Sequence, residues 1–379
     1  MTQENSSEEV YRDIGVEPMI SATGTATRWG GTKLRDEVMD SMNKAATVMV
    51  DLEDLNREAG KIIAEITGAE AGLVTSGAAG GLVLQAAACI AGSDPVKMAK
   101  LPDTDGMKNE IIIHTSHRFP YDQTYLAAGA RLVEIGDGRR CYPWQLEAAL
   151  TERTAAVAYL KSSFISRRAL SLEQVSEIAH GAGVPVIVDA ASTLPPKVNL
   201  KKSLQQGADM VIFSGGKGVR GPQGTGILCG RADLIKAAVA NASPNAFIGR
   251  GMKVAKEEIV GLVSALRMFV DEDEVAKNDR FREMCQVVVD ALIEIPGLKM
   301  TVEHDEYDYL IPTALMTFTS KWNGPSRDEV YESMLQGRPS VALHNLGNPD
   351  ELAVDPMSLD PQDLDTVVRR LREELLGSS

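Results

Sequence analysis

Apolar runs alternate with amphipathic stretches through most of the chain. The runs that have the composition of strands are EIIIHTS (110–116), ARLVEIG (130–136), TAAVAYLKSS (154–163), VPVIVDAAS (184–192) and ADMVIFSGG (208–216). The stretches between them, such as SLEQVSEIAHGAG, have the apolar spacing of helices. Continuous apolar strands that alternate with helices predict an α/β fold with a mainly parallel sheet covered on both faces. The run GTGILCG (224–230) predicts an antiparallel return strand.

The pattern divides the chain into a large α/β domain and a small α+β domain. Residues 1–20 are expected to form an N-terminal arm, and residues 21–252 the large domain. A long amphipathic helix, 253–274, would bridge to a C-terminal domain, 275–379, whose length is typical of a domain. That domain combines strand-like pieces such as LKMTVEHD with a final amphipathic helix, DLDTVVRRLREELL.

Composition narrows the class of protein. The chain has 379 residues, 44% of them hydrophobic and 24% charged, which predicts a soluble globular protein with a sizeable core. Its net charge of −14 (39 − 53) disfavours a nucleic-acid partner, which needs a basic face. The four cysteines form no CxxC pair, and no apolar run has the length of a membrane span. We therefore expect a cytoplasmic protein without a membrane partner.

Three features at the ends of predicted strands carry the candidate chemistry. The turn TSGAAGG (75–81) joins a strand to a helix, so its N–H groups and Ser76 can hold a phosphate, or its small residues can serve close packing. Asp189 ends an apolar run, where a carboxylate is either a helix N-cap or the partner of a cofactor ring nitrogen. Lys217 follows the next strand, 28 residues later (217 − 189). In open α/β sheets, ligands bind at this carboxyl edge.

The glycine-rich loop around Lys217 does not fit a nucleotide-binding motif. A P-loop needs Gly six residues before the lysine and Ser or Thr after it, but Val211 and Gly218 stand there. A dinucleotide fingerprint follows the first strand, and this loop lies too far along the chain. A carboxylate, a lysine and a phosphate turn do match the ring nitrogen, aldehyde and phosphate of pyridoxal 5'-phosphate. The glycines are expected to leave room for Lys217 to move.

Several segments of the sequence resemble those of a known family. The segment FSGGKGVRGPQGTGILCG resembles the lysine loop of the selenocysteine synthase (seryl-tRNA selenium transferase) family of fold-type I pyridoxal phosphate enzymes, which share the fold of aspartate aminotransferase. The segments ISATGTATRWGG, LVEIGD and ERTAAVAYLKSSF resemble other parts of that family, and the resemblance covers roughly residues 15–270. Two further segments, SHRFPYDQTYLAAGARLVEIG and GRPSVALHNLGNPDELAVDPMSL, are more similar to the branch that includes D-glucosaminate-6-phosphate ammonia-lyase.

The resemblance implies roles for individual residues. Lys217 would form the Schiff base with the cofactor, and Asp189 would pair with the pyridinium nitrogen. The other residues expected to bind the cofactor are Ser76, Gly77, Ala78, Ala79, His117, Ser192 and Ser214. Among them, His117 is expected to stack on the cofactor ring. The HTSH segment that contains it lacks a third metal ligand, so no metal is expected.

Two arginines are candidate receptors for the substrate. Arg28 and Arg118 flank the matched motifs, and a guanidinium binds a carboxylate or phosphate with two parallel hydrogen bonds. Arg250 and Arg338 have the same chemistry but lie farther from those motifs. Arg28 and Arg118 are therefore the predicted substrate-binding residues.

The expected activity is that of a pyridoxal phosphate-dependent lyase. It would eliminate ammonia from a small amino acid or an amino-sugar acid such as D-glucosaminate 6-phosphate. The same groups also suit β-replacement on a seryl-tRNA, as in the family, or racemase, aldolase or aminotransferase chemistry. We further expect a homodimer or a larger homo-oligomer, in which the segment IGRGMKVAKEE (248–258) completes the site of a neighbouring subunit.

Overall fold

The computed structural model describes residues 3–162, 169–306, 308–345 and 347–377, and it confirms the predicted α/β architecture. The strands are β1 Met19–Ala22, β2 Ala71–Ser76, β3 Glu110–His114, β4 Arg131–Ile135, β5 Thr154–Leu160, β6 Val186–Asp189, β7 Met210–Ser214, β8 Thr225–Gly230, β9 Leu298–Glu303, β10 Thr313–Phe318, β11 Ser340–Leu343 and β12 Glu351–Val354. The helices are α1 Gln3–Arg12, α2 Asp36–Ala46, α3 Leu52–Thr67, α4 Gly77–Ala91, α5 Pro95–Lys100, α6 Gln123–Ala127, α7 Pro143–Ala149, α8 Leu172–Gly181, α9 Asn199–Gln205, α10 Ala232–Asn241, α11 Lys256–Asp271, α12 Glu274–Leu292, α13 Arg327–Gln336 and α14 Pro361–Leu376.

The large sheet has the strand order β2-β8-β7-β6-β5-β3-β4. Strands β3 to β7 pair in parallel, while β8 runs antiparallel to both of its neighbours, β2 and β7. The mainly parallel sheet and the antiparallel return strand are therefore both confirmed. The predicted strand run 154–163 is longer than β5, which ends at Leu160; residues 161 and 162 are not part of the strand, and residue 163 lies outside the described residues.

Both faces of this sheet are buried, which explains why its strands are apolar without alternation. Ile112 and Val188 belong to the core on one face, together with residues of α3, α8 and α11. Ile111 and Ile187 belong to the core on the opposite face, with residues of α4 and α10. Successive side chains of a strand point to opposite faces, so a doubly covered strand needs an apolar residue at every position.

The chain forms two compact units. One is Lys33–Glu272, and the other joins the described residues up to Thr32 with those from Asp273 onward. Residues 21–32 thus group with the C-terminal segment, whereas the predicted large domain began at residue 21. The reason is long-range pairing, because β1 forms a parallel ladder with β11. Helix α11 lies wholly within the first unit. The four-part domain division itself stays a prediction.

The second unit contains a smaller antiparallel sheet with the order β12-β10-β9. Its core includes side chains from α12, α13 and α14, which fits the predicted α+β composition of this segment. Across both units, no described helix is both long enough and apolar enough to cross a membrane.

Candidate active site

The carboxyl edge of the large sheet brings several predicted site residues together. Strands β2, β3, β5, β6 and β7 all run in one direction, so their last residues lie at the same edge. Ser76, Asp189 and Ser214 are the last residues of β2, β6 and β7, and Lys217 follows β7 by three residues. Since β6 and β7 are adjacent, the aspartate and the lysine come from neighbouring strands.

Asp189 and Lys217 act on each other electrostatically. Burial raises the pKa of Asp189, while the Ala191 N–H, which donates to its Oδ1 at 3.0 Å, and the charge of Lys217 oppose that shift. Burial lowers the pKa of Lys217, and the carboxylate of Asp189 opposes that shift. Burial therefore moves both groups toward their neutral forms, and each charge stabilises the other. Such a pair at a ligand-binding edge is a functional-site signal.

The loop that carries Lys217 is closely packed. A Cβ on Gly215 would collide with Thr225, one on Gly216 with Gln223, and one on Gly218 with the carbonyl of Leu194. The turn then closes through the Arg220 N–H, which donates to the Lys217 carbonyl at 2.8 Å. The expectation that these glycines leave room for Lys217 to move stays a prediction. Their missing side chains let the backbone approach its neighbours and fix the position from which the lysine side chain extends.

The turn from β2 into α4 has the features of an anion site. Gly77 has a φ of +62°, which favours glycine there, and its N–H donates to the Gly224 carbonyl at 2.8 Å. Ser76 precedes the helix, but its hydroxyl makes no capping hydrogen bond. Ala78 is half-buried and Ala79 is exposed. Because the Gly77 N–H already has an acceptor, Ala78 and Ala79 are the better candidates to bind a phosphate through the backbone.

His117 lies close to the Asp189 strand. Its Nδ1 accepts the N–H of Leu160, the last residue of β5, at 3.3 Å. Leu160 is the register partner of Asp189. His117 is only 1% exposed and its ring centroid lies 4.6 Å from that of Tyr159. The predicted stacking on a cofactor ring stays a prediction.

The remaining candidates differ in what surrounds them. Ser192 and Ser214 are both half-buried after β6 and at the end of β7, and their cofactor contacts stay predictions. Arg28 belongs to the second compact unit, is exposed and has its guanidinium carbon 4.5 Å from the Trp29 ring centroid. Its substrate role also stays a prediction.

Arg118 lies in a network of ion pairs. Its guanidinium pairs with both Asp122 and Glu134, and these contacts raise its pKa. A substrate anion would have to displace two carboxylates to bind there. These ion pairs link the segment after β3 to β4, and the substrate role of Arg118 stays a prediction.

Two buried polar residues near Asp189 were not predicted. Gln85 of α4 is fully buried, and its amide Nε2 donates to the carbonyl of Val188 at 3.3 Å. Tyr125 of α6 is buried, and its pKa is raised well above the usual range by burial and then by the charge of Asp189. A sequence signal existed for Gln85, because it is the single amide in the apolar run GGLVLQAAACIAG.

These groups fit pyridoxal phosphate. The edge offers a primary amine, a half-buried carboxylate one strand away and a helix N-terminus flanked by a hydroxyl, which match the aldehyde, ring nitrogen and phosphate. The close-packed glycine loop fixes the backbone of the amine-bearing residue.

Comparison with known proteins agrees with this site. Residues 20–292 match the family model described as L-seryl-tRNA selenium transferase. A Streptomyces protein named 5'-C-glycyluridine monooxygenase-decarboxylase is 36% identical, and the match covers 97% of this chain and 92% of the relative. The D-glucosaminate-6-phosphate ammonia lyase of Salmonella typhimurium is 30% identical over 96% of this chain and 97% of the relative. The predicted resemblance is confirmed, although the motifs gave no sign of the Streptomyces relative.

The solved structures give the same result. A structure of D-glucosaminate-6-phosphate ammonia-lyase matches with a TM-score of 0.85 and 29% sequence identity, covering 97% of this chain and 98% of the other. The fold is that of fold-type I pyridoxal phosphate enzymes, and pyridoxal 5'-phosphate is the cofactor of the family. The chain belongs to the L-seryl-tRNA selenium transferase family.

Proposed function

We propose that this chain is a pyridoxal phosphate-dependent lyase that releases ammonia from a small amino acid or amino-sugar acid. The observation that carries the proposal is the Asp189–Lys217 pair, whose members lie at and just beyond the ends of neighbouring strands and shift each other's pKa. The Salmonella relative named as an ammonia lyase supports this reaction class, because the match covers nearly the whole length of both chains. D-Glucosaminate 6-phosphate is accordingly the first substrate to test.

Different residues at this edge of the sheet would bind different groups of the cofactor. The carboxylate of Asp189 would keep a proton on the ring nitrogen, while Ser76, Ser214 and the first turn of α4 would bind the phosphate. Pyridoxal phosphate, when bound, withdraws electrons from the α-carbon of an attached amino compound. Lys217 would hold the aldehyde until a substrate amine displaces it. Ser192, which follows Asp189, would lie beside the ring.

Lys217 is also the proposed base. Burial lowers its pKa, so a larger fraction of its Nζ is neutral at physiological pH and can take a proton from the substrate α-carbon. A hydroxyl on the β-carbon then leaves as water once it has received a proton. Hydrolysis of the remaining unsaturated amine consumes one water and gives a keto acid and ammonia. The net change is the loss of ammonia, with no oxidant or reductant required.

A panel of β-hydroxy amino acids and amino-sugar acids tests this function. Purified holoenzyme is incubated with each compound, and keto acid and ammonia are measured separately. Equal amounts of both products from one compound, with D-glucosaminate 6-phosphate tried first, are the expected result. Keto acid without ammonia, or neither product from any compound in a protein that carries the cofactor, would contradict it.

Oxidative decarboxylation is a second candidate. The Streptomyces relative, named a monooxygenase-decarboxylase, has the higher identity, 36% over 97% of this chain. A decarboxylase would release carbon dioxide, and an oxygenase would consume oxygen. Measuring carbon dioxide and oxygen in the same panel separates the two candidates, since ammonia elimination changes neither.

β-Replacement on a seryl-tRNA is the alternative that the family description suggests. The net charge of −14 disfavours it, because a tRNA partner needs a basic face. A gel shift at low salt is decisive, and we expect no complex with seryl-tRNA.

We also propose a cytoplasmic homodimer or larger homo-oligomer. The segment between α2 and α3 supports association, because Val48, Met49 and Val50 are 57%, 86% and 50% exposed, and adjacent exposed apolar side chains mark contact surfaces. Light scattering is expected to give at least twice the chain mass of 40.8 kDa. The segment 248–258 remains the candidate for completing a neighbouring site, although its Met252 also lies near Gly80 of α4 in the same chain.

A further inference from the structure

Three aromatic rings form a buried cluster beside the candidate site. His114 is the last residue of β3, and its ring centroid lies 4.8 Å from that of His117 and 6.0 Å from that of Tyr159. The rings of His117 and Tyr159 are 4.6 Å apart. His114 and His117 are 0% and 1% exposed. The His117 ring is therefore packed against two other buried rings, at tilted and T-shaped angles of 56° and 79°.

The polar atoms of this cluster are only partly paired. The Tyr159 hydroxyl donates to the Leu170 carbonyl at 3.1 Å, and His117 Nδ1 accepts the Leu160 N–H at 3.3 Å. Among the residues that the structure describes, His117 Nε2 and both ring nitrogens of His114 are buried without a hydrogen-bond partner. Native proteins leave few buried polar atoms unpaired, so three in one cluster point to a missing partner.

The Leu160 contact fixes which nitrogen of His117 carries hydrogen. Because Nδ1 accepts a hydrogen bond from a backbone N–H, that nitrogen has no hydrogen of its own. Burial and the neighbouring His114 lower the pKa of His117 to about 3, and burial lowers that of His114 to about 4. Both rings are therefore neutral at physiological pH, and the hydrogen of His117 lies on Nε2.

Backbone hydrogen bonds place His117 near strand β6, which ends at Asp189. Leu160, which donates to His117, pairs in register with Asp189, and the next N–H, that of Lys161, donates to the Asp189 carbonyl at 2.8 Å. Adjacent strands are about 4.8 Å apart, so His117 is anchored one strand from the residue proposed to hold the ring nitrogen. The phenolic oxygen of pyridoxal phosphate is attached to the same ring and is an anionic acceptor.

We propose that His117 is a neutral Nε2–H hydrogen-bond donor to the phenolic oxygen of the bound cofactor. This assignment rests on the proposed function only in requiring that pyridoxal phosphate binds. It differs from the stacking expected from the sequence, which would use the face of the ring and would need no N–H.

Nitrogen NMR of the unmodified protein tests the donor directly. The chain has five histidines, so selective ¹⁵N labelling gives few signals, and the pair that disappears in His117→Phe identifies His117. The expected spectrum shows hydrogen on Nε2 and none on Nδ1, and the Nε2–H resonance moves downfield when pyridoxal 5'-phosphate is added. Hydrogen on Nδ1, a cationic ring, or an unmoved Nε2–H signal in protein whose absorbance shows bound cofactor would each overturn the proposal.

Cofactor affinity provides a second measurement. His117→Phe keeps an aromatic face and removes the N–H, so the Kd for pyridoxal 5'-phosphate is expected to rise about tenfold, whereas His117→Gln keeps a donor and stays within about threefold. Tighter binding by the Phe variant than by the Gln variant would favour stacking and overturn the proposal. His114→Phe is the matched control, equally buried beside the same ring, and it is expected to leave the Kd unchanged.

The two proposals can fail separately. If the protein binds no pyridoxal phosphate at all, the proposed function is wrong, and so is the donor role, while the tautomer of His117 is still read from the cofactor-free spectrum. If the cofactor binds and keto acid is released but the Nε2–H signal stays unmoved, only the donor role is wrong.

Discussion

Two aspartates, Asp209 buried and Asp189 half-buried, lie on neighbouring segments of the large sheet but at opposite edges. Asp209 immediately precedes β7 at the amino edge, is 5% exposed, and accepts hydrogen bonds from the Val186 N–H at 2.7 Å, His180 Nε2 at 2.8 Å and Arg231 at 2.9 Å. Asp189 ends β6 at the carboxyl edge, where burial dominates its environment and raises its pKa. Asp209 is stabilised by three hydrogen-bond donors of the protein, whereas Asp189 is proposed to pair with the ring nitrogen of the cofactor.

The two aspartates therefore differ in role: Asp209 stabilises the sheet, and Asp189 is proposed to take part in the chemistry. Asp209 joins β7 to α8 and to the Arg231 segment through charge-assisted hydrogen bonds, so it supports the fold. Asp189 is less stable as an ion than it would be in water, and a protonated pyridine nitrogen would relieve that cost. Residues of functional sites are commonly held in unfavourable environments. Stabilising interactions elsewhere, such as the hydrogen bonds of Asp209 at the amino edge, offset the cost in stability.

Replacing the lysine is expected to have the largest effect. Lys217→Ala removes both the covalent attachment point and the proposed base, so kcat should fall by about 10³-fold or more, with the melting temperature within about 2 °C of the unmodified protein. The protein-bound cofactor should also lose its visible absorption band.

Lys161→Ala is the matched control for that change. Lys161 follows β5 at the same edge, its N–H donates to the Asp189 carbonyl, and burial lowers its pKa as well. We expect this variant to keep the visible band. Loss of the band in Lys161→Ala but not in Lys217→Ala would show that Lys161, and not Lys217, binds the cofactor.

The same substitution at the two aspartates should have opposite consequences. Asp209→Asn loses charge-assisted hydrogen bonds to Arg231 and His180, so the free energy of unfolding should fall by about 2 kcal/mol, a value kept modest because both partners are nearly half exposed. Asp189→Asn removes a charge whose burial is unfavourable, so the cofactor-free variant should be equally stable or more stable.

Denaturant unfolding of both variants without cofactor provides the measurement, and turnover of the holoenzymes provides the contrast. We expect Asp189→Asn to lower kcat by about 10²-fold, since the ring nitrogen loses its anionic partner, while Asp209→Asn keeps near-normal turnover. An Asp189→Asn variant that is as active as the unmodified protein would remove the assigned role of Asp189.

The features of the fold and site that depend on local sequence patterns could be predicted from the sequence. Lys217 and Asp189 each follow a continuous apolar strand, so their place at one edge of a parallel sheet follows from strand order and direction. The antiparallel β8 was visible for the same reason, because its apolar run returns directly after the glycine loop. Local composition and the carboxyl-edge rule were enough for these features.

Long-range contacts account for what the sequence did not reveal. The ion pair of Arg118 with Glu134 was not predicted, because Glu134 is 16 residues away on β4. The pairing of β1 with β11 joins residues more than 300 positions apart, so residues 21–32 could not be placed with the C-terminal segment from local composition. The close packing of Gly218 was not predicted, because its contact, the carbonyl of Leu194, comes from another segment.

The smallest expected effect concerns the proton on Lys217. Burial lowers the pKa of this lysine and the Asp189 carboxylate partly restores it, because a nearby negative charge favours the ammonium form. Asp189→Asn removes that opposing contribution, so the pKa of Lys217 should fall further and its neutral form should appear at lower pH. Asp209, at the far edge of the sheet, is not among the groups that shift Lys217, so Asp209→Asn should leave this pKa unchanged.

The rate at which an amine-specific reagent acetylates Lys217, followed by mass spectrometry across a pH series in cofactor-free protein, reports this titration. The midpoint should move to lower pH in Asp189→Asn and stay in place in Asp209→Asn. A midpoint that moves upward in Asp189→Asn would contradict the expected electrostatic effect. Equal shifts in both variants would show that the two carboxylates act on the lysine through the fold as a whole. A shift confined to Asp189→Asn would show instead that the coupling is a direct one between neighbouring strand ends.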